Sequence, residues 1–307
     1  MITYYFRDTQ DESLKELDTI STGVWIHAVE PSREELAELF AKFDLEEELI
    51  DDVQDFFEVP RVDKSDNATF FFTRYPSSNH GENVETAPLA IIFGETFVLT
   101  VAQSDIPQFE QFINGKTVVH TTDKTKLFLS MMQAIKESFE RELVKLRRSV
   151  HRDRARLRRV GNREIERFVI YEHKLSDMIT ALIPTNTALQ QVTKGNSLHM
   201  LEEDQDFLSD LIVDKNLLVD SARSVLKTLQ NIRSATEAIL TNNLNTTIRT
   251  LTLFTVLLTI PMVVASFFGM NVKLPFADAE WAFWVILGTV FVIVGVVVTY
   301  FKRNEWF

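Results

Sequence analysis

The chain has 307 residues, no cysteine, and 44 acidic residues against 32 Lys and Arg, which gives a formal net charge of -12. This acidic balance argues against a nucleic-acid-binding protein, because phosphate binding requires clustered positive charge. The absence of cysteine excludes a disulfide framework, a thiolate metal site and a cysteine nucleophile.

Residues 1 to about 122 are predicted to form a mixed α/β domain. Ser32 followed by Glu35 is a capping box that opens an amphipathic helix, and a second, very acidic helix is predicted over 45–57. Gly94-Glu95 marks a hairpin between the last two long strands. The predicted strands are 2–6, 23–29, 70–72, 87–93 and 96–101, with a final short strand at 118–120.

From residue 123 the pattern changes to long helices. Two antiparallel cytoplasmic helices are expected at about 124–160 and 162–193, within a domain over 123–196 that ends in a turn at 195–196. From residue 197 to residue 268 the only Gly or Pro is Pro261, which lies inside the first apolar run. This stretch predicts one helix of about 70 residues, on the order of 100 Å long. Its first part, 197–250, is expected to be a stalk that continues into the membrane.

Two apolar runs near the end are each long enough to cross a bilayer, which takes about 20 residues. The first membrane helix is assigned to 251–271 and the second to 281–301, joined by an external loop at 272–280. The N-terminus shows no cleavable signal. Arg249 before the first run, and Lys302 and Arg303 in the tail at 302–307, place both termini in the cytoplasm. The sequence therefore predicts a multi-pass protein of the cell (inner or plasma) membrane.

The helix that contains the first run has a polar seam. We define the seam as the positions reached from Asn245 by alternating steps of three and four residues. Five of its eight members have an oxygen-bearing side chain. Hydroxyl groups in a membrane helix can bond to their own carbonyls or join neighbouring helices. They can also line an axis in a symmetric bundle, which requires a homo-oligomer. The two interpretations are compatible. The seam consists of Asn245, Ile248, Thr252, Thr255, Thr259, Met262, Ser266 and Gly269.

The triplet Gly269-Met270-Asn271, at the outer end of the first of two C-terminal spans, resembles the CorA family of divalent cation channels. The stretch 248–252, Ile-Arg-Thr-Leu-Thr, is similar to the family's Met-Lys-x-Leu-Thr, with Ile for Met and Arg for Lys. The resemblance implies a homopentamer in which the first spans line a pore and the triplet forms its mouth. It also implies Mg²⁺ as the transported ion, often with Co²⁺ or Ni²⁺, and gating by intracellular Mg²⁺.

Within this resemblance, Asn271 is expected to select the ion, because amide oxygens can hydrogen-bond to the tightly held waters of Mg²⁺. Ile248 and Leu251 are expected to form an apolar constriction at the inner end, although face counting prefers Thr252 to Leu251. Two acids on the external loop either concentrate cations near the mouth or are ordinary loop residues. They are Asp278 and Glu280.

Asp206, Asp210 and Asp214 are spaced by four residues and share one face of the long helix, where like charges repel. The resemblance makes Asp210 an acidic ligand of a regulatory Mg²⁺. The alternative is a solvated acidic face. A second ligand from the α/β domain of an adjacent subunit is implied, and the candidates are Glu82 and Glu85. A basic helix over 141–159 is expected to be solvated and to pair with acidic surfaces. The alternative is that it binds lipid or nucleotide.

The preferred hypothesis is a divalent cation channel or transporter for Mg²⁺ uptake, with partners limited to itself, the bilayer and divalent cations. One alternative is a zinc transporter of the ZntB type. Another is a membrane-anchored cytoplasmic scaffold or sensor, which would not need a polar seam. An enzyme is not predicted, since the chain has no phosphate-binding Gly-rich loop, His-Glu-x-x-His or nucleophile elbow.

Overall fold

The computed structural model describes residues 1–77, 86–154, 162–194, 198–270 and 281–303. The strands within these ranges are β1 Ile2–Phe6, β2 Lys15–Leu17, β3 Val24–Val29, β4 Arg61–Lys64, β5 Ala68–Pro76, β6 Thr86–Gly94 and β7 Phe97–Ala102. They form one mixed sheet in the order β2-β1-β3-β7-β6-β5-β4. All neighbouring strands in it are antiparallel except β3 and β7, which run parallel.

The sheet is the central layer of the α/β domain, because side chains alternate between its two faces. On β3, Trp25 belongs to one core and Ile26 to the other. Helices α1 (Arg33–Lys42) and α2 (Leu49–Gln54) contribute to the core on the Ile26 side. Long helices cover the Trp25 side, where Phe128 packs its ring edge-on against the rings of two sheet residues. These are Phe71 and Phe93, at 4.9 and 5.2 Å between ring centroids.

The remaining helices lie C-terminal to the sheet. They are α3 Glu110–Ile113, α4 Lys124–Arg154, α5 Asn162–Lys194, α6 Glu202–Phe268 and α7 Ala282–Arg303. The described chain divides into two compact units, residues 1–232 and 233–307. The expected fold class is therefore confirmed: an α/β N-terminal domain, long helices, and two apolar helices at the C-terminal end.

Local signals in the sequence located several elements correctly. Ser32 and Glu35 form both hydrogen bonds of the predicted capping box at the start of α1. Gly94 lies at the hairpin between β6 and β7, where a Cβ atom would come within 2.1 Å of the Phe97 ring. Only glycine therefore fits this position without displacing that aromatic side chain.

Two expectations about the α/β domain were wrong in their bounds or type, and two strands were not predicted. The acidic helix predicted over 45–57 is limited to Leu49–Gln54, since Asp55 adopts an extended conformation. Residues 118–120 have no strand partner; the next residue, Thr121, instead exchanges hydrogen bonds with Arg7. The edge strands β2 and β4 were missed because they are short and charged, as edge strands often are.

Among the described residues, two helices are long and apolar enough to cross a membrane, the C-terminal part of α6 and all of α7. Only 6 % of the most apolar 18-residue stretch of each helix is buried. A core helix of a soluble protein would bury most of its apolar surface, so these helices fit a lipid environment. Both predicted spans are thereby found as helices.

Candidate functional site

The polar seam lies within the surface of α6 that the described part of the chain leaves exposed. All eight seam positions are exposed, whereas the partly or fully buried positions of the same segment lie on another face. At 100° per residue, the centres of the two faces are roughly 135° apart. Within the apolar run, the less exposed face consists of Leu253, Val256, Leu257, Ile260 and Val264.

Helix α7 shows the same one-sided pattern. Its partly buried residues recur every three or four positions, at Ile286, Val290, Val294 and Val297. These side chains are all apolar, so the seam has no polar counterpart on the less exposed side of α7. Intramembrane polar groups face protein or water rather than lipid. Among the described residues, none covers the seam, so its polar groups have no protein surface to face within one chain.

Two hydroxyl groups of the seam donate to backbone carbonyls one turn earlier. Thr255 Oγ1 donates to Leu251 O at 2.9 Å, and Thr259 Oγ1 donates to Thr255 O at 2.7 Å. Thr289 and Thr299, on α7, form the same kind of bond. Back-bonding therefore occurs on both spans, so it does not by itself distinguish a pore lining from ordinary packing.

The end of the first span is a tight backbone turn. The N–H of Gly269 donates to Ala265 O at 2.9 Å, and that of Met270 donates to Phe267 O at 3.3 Å. A Cβ atom on Gly269 would lie 3.3 Å from Ala265 O, closer than ordinary van der Waals contact. Met270 is half exposed. The other residues assigned to the mouth, Asn271, Asp278 and Glu280, lie outside the described residues.

Near the N-terminal end of the seam, two apolar side chains are exposed. Ile248 and Leu251 are 52 % and 66 % exposed. Thr252 is exposed as well, so burial in a single chain does not decide between Leu251 and Thr252 as the residue nearest an axis.

The three aspartates at the start of α6 do not share one environment. Asp206 and Asp210 are exposed and form no ion pair within the described part of the chain. Asp214 forms an ion pair with Lys136 of α4, at 2.7 Å between Oδ2 and Nζ. Glu82 and Glu85 lie outside the described residues. Across the described ranges, no group of three or more His, Asp or Glu side chains is placed to hold a metal ion.

Lys136 was not identified from the sequence. Its burial favours the neutral amine, but the hydrogen bond and charge of Asp214, helped by Glu140, outweigh that effect and raise the pKa of Lys136. The signal available in the sequence was a lysine among apolar residues at helical spacing. These residues, Met132, Ile135 and Phe139, are buried on one side of α4. Such a lysine requires an acidic partner.

Lys215 is a second lysine that sequence reasoning missed. Its side chain is fully buried on α6, and its Nζ has no hydrogen-bond partner among the described residues. Burial lowers the pKa of this ammonium from 10.5 to about 7. One turn away on either side, Leu211 and Leu218 are also buried. Lys215 therefore occupies a position on the core face of the helix that normally takes an apolar residue.

Comparison with known proteins gives a family match over nearly the whole chain. Residues 21–303 match a family described as CorA-like Mg²⁺ transporter protein. A curated relative from Methanocaldococcus jannaschii, the cobalt/magnesium transport protein CorA, is 24 % identical over 299 residues, covering 92 % of this chain and 91 % of the relative.

Solved structures support the same fold. The complete structure of the CorA magnesium transporter from Methanocaldococcus jannaschii aligns with a TM-score of 0.87 at 21 % identity, covering 100 % of this chain and 99 % of that one. The ZntB cytoplasmic domain from Vibrio parahaemolyticus aligns with a TM-score of 0.63 at 10 % identity. It covers 78 % of this chain, and this chain covers 98 % of it.

Proposed function

The chain belongs to the CorA family of divalent cation transporters, and from that membership we propose that it is a homopentameric Mg²⁺ channel of the cell membrane. Its family comprises transporters and channels rather than enzymes. The observation that carries the proposal is the exposed polar seam of α6, which ends at Gly269-Met270. A symmetric bundle gives such a seam a water-filled axis to face.

In the proposed pore, the seam lines the axis from Asn245 to the mouth at 269–271. Ile248, with Leu251 or Thr252, forms the constriction at the cytoplasmic end, where apolar side chains can block ions by dewetting. The oxygen atoms of the seam contact the hydration shell of Mg²⁺ without removing it, because this ion loses its waters reluctantly. The termini are cytoplasmic, and the loop acids Asp278 and Glu280 concentrate cations outside.

Uptake of individual ions tests the transport function. Full-length protein in proteoliposomes should take up Mg²⁺, and Co²⁺ at a comparable rate, from an external solution containing one ion at a time. The curated relative is named for both of these ions. Zn²⁺ should enter more slowly. Uptake of Zn²⁺ alone would replace the proposal with a ZntB-like zinc transporter, and the absence of flux for every ion would leave the membrane-anchored scaffold.

Regulation is proposed to depend on acidic groups of the cytoplasmic domain. Intracellular Mg²⁺ bound at Asp210 and Asp206, between neighbouring subunits, would stabilise the closed arrangement by RT ln(1 + [L]/Kd). At tenfold saturation this is about 1.4 kcal/mol for each independent site. Asp214 remains a candidate ligand, although its Oδ2 already accepts from Lys136. Glu82 and Glu85 are the candidates for the ligand from the adjacent subunit.

Asp210→Asn is expected to raise the Mg²⁺ concentration for half-maximal closure about tenfold, equivalent to about 1.4 kcal/mol. The reason is that Mg²⁺ loses an anionic oxygen ligand. Protection of the cytoplasmic domain from protease, followed against Mg²⁺ concentration, measures the shift.

Asp220→Asn is the matched control, since Asp220 is an exposed aspartate of the same helix whose only ion pair among the described residues is a loose one with Arg223, at 3.7 Å. If both variants shift the midpoint equally, the effect is one of general charge. If neither does, Asp210 belongs to a solvated face and the sensor lies elsewhere.

A further inference from the structure

A cavity of about 330 Å³ lies between the C-terminal half of α4 and the facing part of α6. Its α4 wall carries Arg147, His151 and Arg154, which are spaced by four and three residues and so share one face. The α6 wall carries three hydroxyl residues at a similar helical spacing, and two buried valines complete the lining. These are Ser221, Ser224 and Thr228, with Val150 and Val225. We call this cavity the basic groove.

The three basic side chains of the groove are not neutralised by the described part of the chain. Arg147, His151 and Arg154 are exposed and form no ion pair among the described residues. Of the carboxylates near them in sequence, Asp153 is buried on the other side of α4, where it binds Arg167 and Tyr171. Glu142 pairs with Lys145. These three side chains are solvated, as expected, but the expected pairing with acidic groups is not found for them among the described residues.

The hydroxyl wall adds hydrogen-bond donors. Thr228 Oγ1 donates to Ser224 O at 2.9 Å, so its proton is already engaged. No bond donated by the hydroxyls of Ser221 and Ser224 occurs among the described residues, which leaves both protons available to a ligand. Asp220, the nearby acid of α6, lies toward Arg223, and Lys227 adds another positive charge to the same stretch.

We propose that the basic groove binds a phosphate-bearing anion. Arginine presents a planar fork that matches two phosphate oxygens, and serine hydroxyls supply further donors to the same group. The chain as a whole has a net charge of -12 and repels anions. A cationic groove with no ion pair among the described residues and with hydroxyl donors therefore has a chemistry that favours anions. Its residues belong to α4 and to the part of α6 that precedes the apolar run. The ligand is either a soluble diphosphate or the phosphate of an anionic lipid.

Titration of the full-length protein with inorganic pyrophosphate tests the soluble ligand. The protein is held in phosphatidylcholine nanodiscs without divalent cations, and the heat of binding is measured by calorimetry. Replacing both groove arginines, Arg147→Gln with Arg154→Gln, is expected to weaken binding at least tenfold. The matched control is Arg148→Gln with Arg152→Gln, which removes the same charge from exposed positions of the same helix outside the groove. The control should change the affinity less than twofold.

A second arm replaces pyrophosphate by vesicles containing phosphatidylglycerol and measures co-sedimentation of detergent-solubilised protein. Selective loss of vesicle binding in the groove variant, with no pyrophosphate binding by the wild type, identifies the lipid phosphate as the ligand. Equal losses in groove and control variants, or no binding in either arm, overturn the proposal. Arg147→Lys keeps the positive charge but removes the planar guanidinium. A partial loss of ligand affinity in this variant would show that the groove recognises phosphate by paired hydrogen bonds and not by charge alone. Circular dichroism of each variant shows whether it remains folded.

Discussion

Replacing Asn271 with alanine is expected to reduce Mg²⁺ uptake to background while the protein still folds and inserts into the membrane. The side-chain oxygen of this residue is proposed to hydrogen-bond to the waters that Mg²⁺ retains. A methyl group offers no acceptor, so a hydrated ion entering the mouth would lose that interaction without compensation. The measurement is initial Mg²⁺ uptake into proteoliposomes reconstituted with equal amounts of each protein.

Asn243→Ala provides the comparison for this experiment. Asn243 is an exposed asparagine of the same helix, lying roughly 140° from the centre of the seam at 100° per residue. The chemical change is identical, but the residue is outside the proposed lining, so uptake should stay near the wild-type rate. Normal uptake by Asn271→Ala, or equal loss in both variants, would remove Asn271 from the role of selectivity residue.

Lys215→Met is expected to stabilise the protein, and to do so most at low pH. In the folded chain the pKa of Lys215 is lowered to about 7, compared with 10.5 for an exposed lysine. Between these values the unfolded chain binds the extra proton, so the stability of the wild type rises with pH over that range. Below about pH 7 Lys215 is charged in the folded protein too, so the wild type bears the full free-energy cost of burying that charge. At about 1.4 kcal/mol per pKa unit, the upper limit of the gain is about 5 kcal/mol.

The apparent midpoint temperature of unfolding, followed at pH 6, 7.5 and 9, measures this effect. The difference between Lys215→Met and wild type should be largest at pH 6 and should shrink by pH 9. Lys227→Met is the matched control, since Lys227 is an exposed lysine of the same helix. A gain that does not vary with pH would mean that methionine only packs better than lysine. A loss of stability would show that the Lys215 amine has a partner in the protein.

Features that depend on local sequence could be predicted, and features that depend on pairing between distant segments could not. The capping box of Ser32 and Glu35 involves four consecutive residues, and the two spans are recognisable from apolar length. The ion pair of Lys136 with Asp214 joins residues 78 positions apart in sequence. The sequence near Lys136 does not identify Asp214 as its partner. The spacing of the three aspartates therefore could not show that Asp214 differs from Asp206 and Asp210.

The groove between α4 and α6 also depends on how distant segments pack, which the sequence does not show. The basic composition of α4 was evident from the sequence, and its pairing with acidic surfaces was the natural expectation. Which arginines remain unpaired depends on the rotation of α4 about its axis, and this rotation is fixed by buried residues such as Leu143, Leu146 and Val150. A shift of one residue would turn a different set of charges toward Ser221 and Ser224.

The hydroxyl bonds of the first span have a consequence for the sign of the charge that it can conduct. Thr255 and Thr259 each donate their only hydroxyl proton to a carbonyl of their own helix. What remains on each oxygen for the surroundings is its lone pairs, so these residues accept hydrogen bonds and cannot donate them. The waters around a cation point their hydrogens outward, whereas those around an anion point them inward. In the proposed pore, a ring of such threonines would match the outer surface of a hydrated cation and would leave a hydrated anion without donors, before any charged residue is involved.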